Sequence, residues 1–319
     1  MTVKESVLKV LEEHKGQYLS GQELAGQLDV SRNAIWKAVN ALKKEGYEIA
    51  SVSNKGYALS AQTDILSKEG ISCYVNVPAL FVYDEIDSTN EEAKRKALEH
   101  APHGTLVVAN HQTAGKGRRG RAFYSPSDTG IYMSILLRLD LPFSQSVLIT
   151  TAASVAVCRA IETVCGISCG IKWVNDVYIH GQKIAGILTE AITDVESGGI
   201  DSMIVGIGVN VSTQTFPEEV GNVAASLYDG TQTQSVRNAL AAEIYREMMD
   251  LSAQLPDKGF LEEYRKRSIV IGASIRYTKR NEWLTGKAVD IDADGGLVVE
   301  SDTEGRITLS SGEISIRLT

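Results

Sequence analysis

Between Ala109 and Pro126 the chain reads Ala-Asn-His-Gln-Thr-Ala-Gly-Lys-Gly-Arg-Arg-Gly-Arg-Ala-Phe-Tyr-Ser-Pro. Gly115, Gly117 and Gly120 interleave there with Lys116, Arg118, Arg119 and Arg121. Glycine lets a backbone turn tightly and come close to a ligand. The cations neutralise phosphate, and arginine also forks onto a carboxylate. Gly115 to Gly120 spells G-x-G-x-x-G, which marks a dinucleotide site only where a strand precedes it and a helix opens inside it. Thr105–Ala109 supplies the strand, but Phe-Tyr-Ser-Pro and the β-rich run Gly130–Leu137 follow, so the dinucleotide reading is rejected. The bland alternative is a solvated basic loop.

Other residue types with chemistry lie on either side of this stretch. Lys183 stands directly before the apolar run Ile184–Leu188, as a solvated strand end or as a site residue. Ser88 and Thr89 place hydroxyls at a corner between a strand (Phe81–Ile86) and a helix running through Lys94 and Leu98. Ser88 to Glu91 also fits a capping box, whatever else those residues do. Asn175 and Asp176 form an unusual pair inside Ile171–Ile179, which reads as a strand. Gly206 and Gly208 interrupt the buried strand Ser202–Val211, as where a ligand or another backbone comes close. Cys73, Cys158, Cys165 and Cys169 form no C-x-x-C pair and read as buried free thiols rather than zinc ligands.

The elements that must carry these residues divide the chain into three. Residues 3 to 13 hold a helical stripe of Val3, Val7, Val10 and Leu11, and Ser20 to Glu23 is a capping box opening a second helix. Ser31 caps a third helix that buries Ile35, Val39 and Leu42 and exposes Arg32, Asn33, Trp36, Lys37 and Asn40. A hairpin follows, Ile49–Val52 and Gly56–Leu59, with Lys55 at its tip. This is the pattern of a winged helix-turn-helix, and the alternative is a small bundle for protein contact. In the DNA-binding reading Asn33 and Asn40 face adenine edges. Arg32, Lys37 and Lys55 take phosphate or guanine, and Ser31 and Trp36 complete the set. Ala61 to Lys68 reads as a linker. Val147, Thr151, Val155, Cys158 and Ile161 recur at helical spacing as core, as do Val236, Leu240, Ile244, Met248 and Leu251; Phe260–Arg267 continues the helical region. From Ile269 short alternating runs predict a small β-barrel of SH3 type. The fold expected is therefore α+β and multi-domain: a winged helix over 1–62, a central α+β domain over 63–268 and the SH3-like barrel over 269–319.

With 319 residues, 43% of them hydrophobic and 23% charged, the composition is that of a soluble globular protein of more than one domain. Net charge is −8, so a nucleic-acid contact must come from a local patch. No apolar run is read as approaching membrane-spanning length, and the start Met-Thr-Val-Lys-Glu-Ser lacks the apolar core of a signal peptide. A cytoplasmic protein with no membrane partner is expected.

Six motifs then carry a resemblance. They are Asp87-Ser-Thr-Asn90, Gln112-Thr-Ala-Gly-Lys-Gly-Arg-Arg-Gly-Arg121, Lys172-Trp-Val-Asn-Asp176, Lys183-Ile-Ala-Gly-Ile-Leu188, Gly206-Ile-Gly-Val-Asn-Val211 and Gly312-Glu-Ile-Ser-Ile-Arg317. In this order, behind a winged helix, the chain resembles the bifunctional biotin–protein ligase/biotin operon repressor family along nearly its whole length. The resemblance implies a central catalytic domain that joins biotin to ATP, making biotinyl-5′-AMP and pyrophosphate. The biotinyl group then passes to a lysine of a biotin carboxyl carrier protein. It implies a biotin site in which Ser88, Thr89 and Gln112 hydrogen-bond the ureido ring and the backbone of Lys116 to Arg118 (Lys116, Gly117, Arg118) closes over the tail and the phosphate. Asn90, Gly115, Lys183, Gly186 and Gly206 also belong to that site, with Lys183 reaching the carboxylate. It implies a nucleotide site of Arg118, Arg119, Arg121 and Phe123, with Asn175, Asp176, Asn210 and Arg317. Lys183 and Arg118 would be catalytic, and Mg2+ would ride on ATP. The implied partners are the carrier domain, operator DNA, and a second copy of the chain when biotinyl-AMP, the corepressor, is bound. Three residues depart from the family pattern: Val174 replaces a usual proline, Lys116 a frequent arginine and Phe123 a common tryptophan.

The chemistry fits the residues independently of that resemblance. A carboxylate attacking an α-phosphate must overcome repulsion between anions, and Lys183 with the loop arginines supplies positive charge where it is needed. The biotin carboxylate is itself the nucleophile, so no Ser-His or Cys-His pair is required. A lipoate–protein ligase shares the architecture, and a biotin-sensing regulator without ligase activity is the reading from another class.

Overall fold

Capping and apolar spacing agree in the first helices. In the computed structural model, α1 (Val3–Glu13) is opened by a Thr2–Glu5 capping box and α2 (Gly21–Gln27) by a Ser20–Glu23 box. Ser31 caps α3 (Arg32–Lys44). The structure describes residues 1–319 apart from 140–145, 194–199, 231–234, 280–281, 311–313 and 317–319, and of residues 146 and 314–316 the backbone alone. By compactness the chain forms two units, Met1–Asn76 with Thr231–Ala242, and Val77–Gly230 with Glu243–Thr319.

In the first unit the three helices bury Val7, Leu11, Leu24, Ile35, Val39 and Leu42 against one another. The hairpin β1 (Ile49–Val52) and β2 (Gly56–Leu59) pairs Ile49 with Leu59, and Leu59 joins the helical core. The stretch expected to be a linker is instead packed. Thr63 and Leu66 are buried, and α4 (Lys68–Ser72) follows at once. The Asp64 carboxylate accepts from the backbone N–H of Arg237 at 2.9 Å, and the Arg237 Nε donates to the Asp64 carbonyl at 2.9 Å. Asn238 accepts from Ser67 N–H at 3.1 Å and donates to the Ile65 carbonyl at 2.8 Å. Arg237 is only 1% exposed. A buried guanidinium persists only when its donors are matched, and Asp64 of the strap 64–67 takes part in matching them. By compactness the first unit extends to Asn76.

The second unit is built on β3 (Leu80–Ile86), α5 (Thr89–Leu98), β4 (Thr105–Gln112), β5 (Gly130–Leu137), α6 (Ser146–Cys165), β6 (Gly170–Lys172), β7 (Asp176–Ile179), β8 (Gln182–Thr193) and β9 (Ile200–Asn210). The strands form a mixed sheet in the order β3-β4-β5-β9-β8-β7-β6, parallel between β3 and β4 and antiparallel elsewhere. Ile204, Gly206 and Gly208 alternate onto one face of β9. Ile204 packs there against Ala93 and Ala97 of α5. Thr150 of α6 donates to Thr189, whose neighbours Leu188 and Glu190 point the other way, so α6 covers the opposite face.

Three expectations are corrected here. Ile171–Ile179 is not one strand: Trp173, Val174 and Asn175 turn the chain, the Trp173–Val174 peptide is cis, and β6 pairs back on β7. Contrary to the reading that no run approaches spanning length, Val147–Cys165 is long and apolar enough to cross a membrane. Its side chains are mostly buried against the sheet and the helix α9 introduced below, which is why it is apolar on most sides. Of the four free thiols only Cys158 and Cys169 are buried; Cys73 and Cys165 are half-buried.

After a short α7 (Glu218–Gly221) come α8 (Arg237–Ala253) and α9 (Phe260–Arg267). The C-terminal strands are β10 (Ser274–Lys279), β11 (Glu282–Ile291), β12 (Leu297–Ser301), β13 (Gly305–Leu309) and β14 (Ile314–Ile316), an antiparallel sheet in the order β13-β12-β11-β10-β14. This sheet does not stand apart as a third compact body. Trp173 Nε1 donates to the Gly295 carbonyl at 2.9 Å, Arg265 Nε to Ile291 at 2.8 Å, and Ile269 N–H to Ile171 at 2.9 Å.

Candidate functional site

The sheet brings four distant segments around one pocket. Its floor is glycine: Gly186 of β8 is paired with Gly208 of β9, and Leu188 with Gly206. A Cβ on Gly206 would lie 2.1 Å from Asn90 Oδ1, and one on Gly208 would lie 2.4 Å from the Phe123 ring. Both glycines are therefore required by close approach.

The N-terminus of α5 makes one wall. Thr89 donates to Gln112 Oε1 from its N–H at 2.8 Å and from Oγ1 at 3.1 Å. Gln112 Nε2 donates in turn to Ser125 Oγ at 2.9 Å, so the carboxamide is held at both ends. Ser134 Oγ lies 2.6 Å from Asn90 Oδ1 and 2.8 Å from Thr89 Oγ1, its one hydroxyl hydrogen shared between the two. Asn90 Nδ2 donates to Glu190 at 2.7 Å. The expected Ser88–Glu91 capping box is absent: Ser88 occupies the N-cap position without a side-chain bond to the helix. Its backbone N–H is taken by Asp87 Oδ1 at 2.7 Å, and its buried side chain lines the pocket.

The cation-rich loop forms the lid. Arg118–Gly120 makes a 3₁₀ turn in which Arg119 and Gly120 have φ of 58° and 73°. Lys116, Gly117 and Arg118 line the pocket, and Arg118 Nη1 donates to Asn175 Oδ1 at 3.1 Å. Asn175 Nδ2 donates to the Ile187 carbonyl at 2.9 Å, fixing its amide. The Phe123 ring lies over the glycine floor and meets Tyr132 edge-on, centroids 6.3 Å apart. Lys116 Nζ is 2.6 Å from Glu91, and Lys116 and Lys94 together hold the Glu91 carboxyl below its ordinary range.

Lys183 lines the pocket too, with Nζ 2.7 Å from Asp176 Oδ1. Its backbone is tied by N–H to the Val223 carbonyl at 2.7 Å and by its own carbonyl to Ala225 N–H at 2.8 Å. A cation so placed can meet an anion from the pocket while a carboxylate holds it ready.

The pocket thus gathers Ser88, Thr89, Asn90, Gln112, Lys116, Gly117, Arg118, Phe123, Asn175, Lys183, Gly186 and Gly206 of the expected set. Gly115, Arg119, Arg121, Asp176 and Asn210 are not among its lining residues. Gly115 is structural: a Cβ there would sit 2.5 Å from the Phe123 carbonyl. Asp176 acts on Lys183, and Asn210 donates to the Ala225 carbonyl at 3.0 Å. Arg317 lies outside the described residues. Sequence reasoning missed Ser134, Ser125, Glu91 and Glu190. Glu91 was within reach, as a carboxylate beside Asn90; the other three carry no local signal.

In the first unit α3 keeps its expected outward face. Arg32, Asn33, Lys37 and Lys55 are exposed, Trp36 is 55% exposed, and Asn40 is half-buried. Trp36, Lys37 and Asn40 border one shallow groove with Lys43 and Lys44. Lys55 reaches over the Tyr18 ring at 5.7 Å. Ser31 Oγ accepts from Ala34 N–H at 3.2 Å, so its hydroxyl is engaged as a cap.

A pocket of hydroxyls, cations and bare backbone is built to hold a carboxylate beside a phosphate, and the class it defines is that of acid-activating ligases. Residues 82–210 match the biotin/lipoate A/B protein ligase family, residues 3–58 an HTH domain, and residues 270–317 the biotin protein ligase C-terminal domain. The chain is 36% identical to the bifunctional ligase/repressor BirA of Bacillus spizizenii over 99% of each protein. It is 28% identical to BirA of Escherichia coli over 95% of this chain and 94% of that one. The biotin protein ligase of Aquifex aeolicus in complex with biotin and ATP superposes with a TM-score of 0.64 at 29% identity, covering 75% of this chain and 98% of that one. The chain belongs to the family of bifunctional biotin ligase/repressors.

Proposed function

We propose that this protein joins biotin to ATP as biotinyl-5′-AMP, transfers the biotinyl group to a lysine of a biotin carboxyl carrier domain, and represses biotin genes with biotinyl-AMP as corepressor. One observation carries the ligase reading: Lys183 and the Lys116–Arg118 lid line the same pocket as Ser88, Thr89 and Gln112. The polar wall holds the ureido ring, the glycine floor receives its flat rings, and the carboxylate points towards Lys183 and Arg118. Charge that builds on the α-phosphate during attack is then met by those cations. Phe123 covers the adenine, with Arg119, Arg121 and Arg317 on the nucleotide side. Magnesium arrives on the ATP phosphates, whose oxygens are hard ligands suited to it. The reaction takes place in the cytoplasm.

Incubation with biotin, ATP and a carrier domain, followed by a streptavidin blot, tests the reading. Labelling of the carrier by biotin and not by lipoate is the expected result. Labelling by lipoate alone favours a lipoate ligase, and no labelling at all favours a sensor without ligase activity. The repressor reading rests on the exposed cations and amides of α3. A single winged helix binds DNA weakly, and two on a palindromic site bind far better. Biotinyl-AMP, by neutralising the cations of the lid, promotes a homodimer with a coupling of about 1–3 kcal/mol. Equal association constants in ultracentrifugation with and without biotin plus ATP overturn that coupling.

A further inference from the structure

The lid is a small hairpin in its own right. Gly117 N–H donates to the Arg121 carbonyl at 2.7 Å, and Phe123 N–H to Gly115 at 2.9 Å. Arg118 ties one side of it to Asn175, and Lys116 ties the other to Glu91. Glu91 sits on α5, next to Asn90 of the pocket wall. The carboxylate has a fixed mounting. Its Oε1 also takes Lys94 Nζ at 2.9 Å, and Lys94 reaches on to Glu190 of β8 at 2.8 Å. Glu190 in turn holds Asn90 at 2.7 Å. Lys116 is the movable partner, with its side chain 47% exposed on a backbone flanked by glycines.

We propose that Glu91 is the latch of the ligand lid: its ion pair with Lys116 holds the hairpin Gly115–Phe123 over the pocket and sets how fast the acyl-adenylate leaves. The proposal rests on the ligase reading above and adds a residue that touches no substrate. Glu91 is a positioning residue, acting through Lys116. A mixed anhydride must be kept from water until the acceptor arrives, and escape requires the hairpin to lift from α5. The pair is partly exposed, so its contribution is modest, worth about a threefold to fivefold change in rate. It is also screened by salt.

The test uses the full chain with Glu91→Gln and with the charge swap E91K/K116E. Biotinyl-5′-AMP formed from labelled biotin and ATP is chased with excess unlabelled biotin. In parallel, the ligand-free proteins are cut with trypsin, which reports lifting of the hairpin at Arg118, Arg119 and Arg121. Glu91→Gln is expected to release the adenylate about threefold to fivefold faster and to be cut faster at those arginines. The swap restores the tryptic rate of the ligand-free protein towards the parent, and molar salt removes the difference between Glu91→Gln and the parent in both measurements. A role of Glu91 in α5 stability alone would lower the melting temperature and would not be rescued by the swap. Unchanged release and cleavage in Glu91→Gln, or a swap that fails to restore the tryptic rate, overturns the latch. A parent protein that forms no biotinyl-AMP overturns the ligase reading instead, and the tryptic rates then decide by themselves whether Glu91 holds the hairpin.

Discussion

Helix α3 and the ligand pocket are assembled in opposite ways. On α3 the outward residues Arg32, Asn33, Trp36, Lys37 and Asn40 lie within three turns of one another, and their placement follows once the helix exists. That helix is specified locally, by the Ser31 cap and by Ile35, Val39 and Leu42 at helical spacing. The pocket draws instead on residues near 88–90, 112–123, 175–188 and 206–208, and no helix or strand holds more than a few of them. Its geometry depends on β8 and β9 pairing in a register that sets Gly186 against Gly208. A slip of one residue would turn the glycine floor away from the lid. A surface read from one helix tolerates sequence drift in the rest of the chain; a pocket read from a sheet does not.

The comparison can be broken at several points. Replacing Lys183 by Ala should slow adenylation by about a hundredfold, the cost of one cation on a transferring phosphoryl group, about 3 kcal/mol. Pyrophosphate release measures it, and near-normal release would remove Lys183 from the mechanism. The first unit should keep its melting behaviour in that variant.

Arg237→Ala probes where the local rule fails inside the first unit. It removes the guanidinium that binds the Asp64 carbonyl, leaving that carbonyl without this partner and a cavity where the 1%-exposed side chain was. A loss of about 2–3 kcal/mol in chemical denaturation is expected. A loss below about 0.5 kcal/mol would restore the description of 61–68 as a free linker.

Gly206→Ala sharpens the contrast from the other side. One methyl group placed 2.1 Å from Asn90 Oδ1 must push that side chain off the pocket wall. Biotin affinity, followed by calorimetry, should fall about tenfold, equivalent to about 1.4 kcal/mol. Unaltered affinity would mean that Asn90 relaxes without consequence and that the floor is looser than its pairing implies. The smallest effect is expected on α3. Lys37→Ala should weaken DNA binding severalfold and reduce the slope of log affinity against log salt by about one unit. A full salt series that overlays the parent would take Lys37 off the interface.

Much of the molecule was legible in its residues. The caps at Ser20 and Ser31, the buried faces of the first helices and the strands around the glycines follow from patterns spanning a few positions, whereas most pocket residues are assigned to one site only through the family resemblance. Such patterns are visible because helix and strand periodicities repeat within a few residues. The tertiary structure decided what distant residues do to one another. It turned 171–179 into a hairpin and set the apolar α6 inside the second unit rather than in a membrane. It joined the C-terminal sheet to Trp173 across 122 positions and bound the strap at Asp64 to Arg237 across 173. It also gave Lys116 a partner in Glu91 and Asn90 a partner in Glu190, at separations of 25 and 100. A single side chain carries no mark of which distant partner will satisfy it. That choice is made only when the sheet closes and each buried charge or amide must find a match.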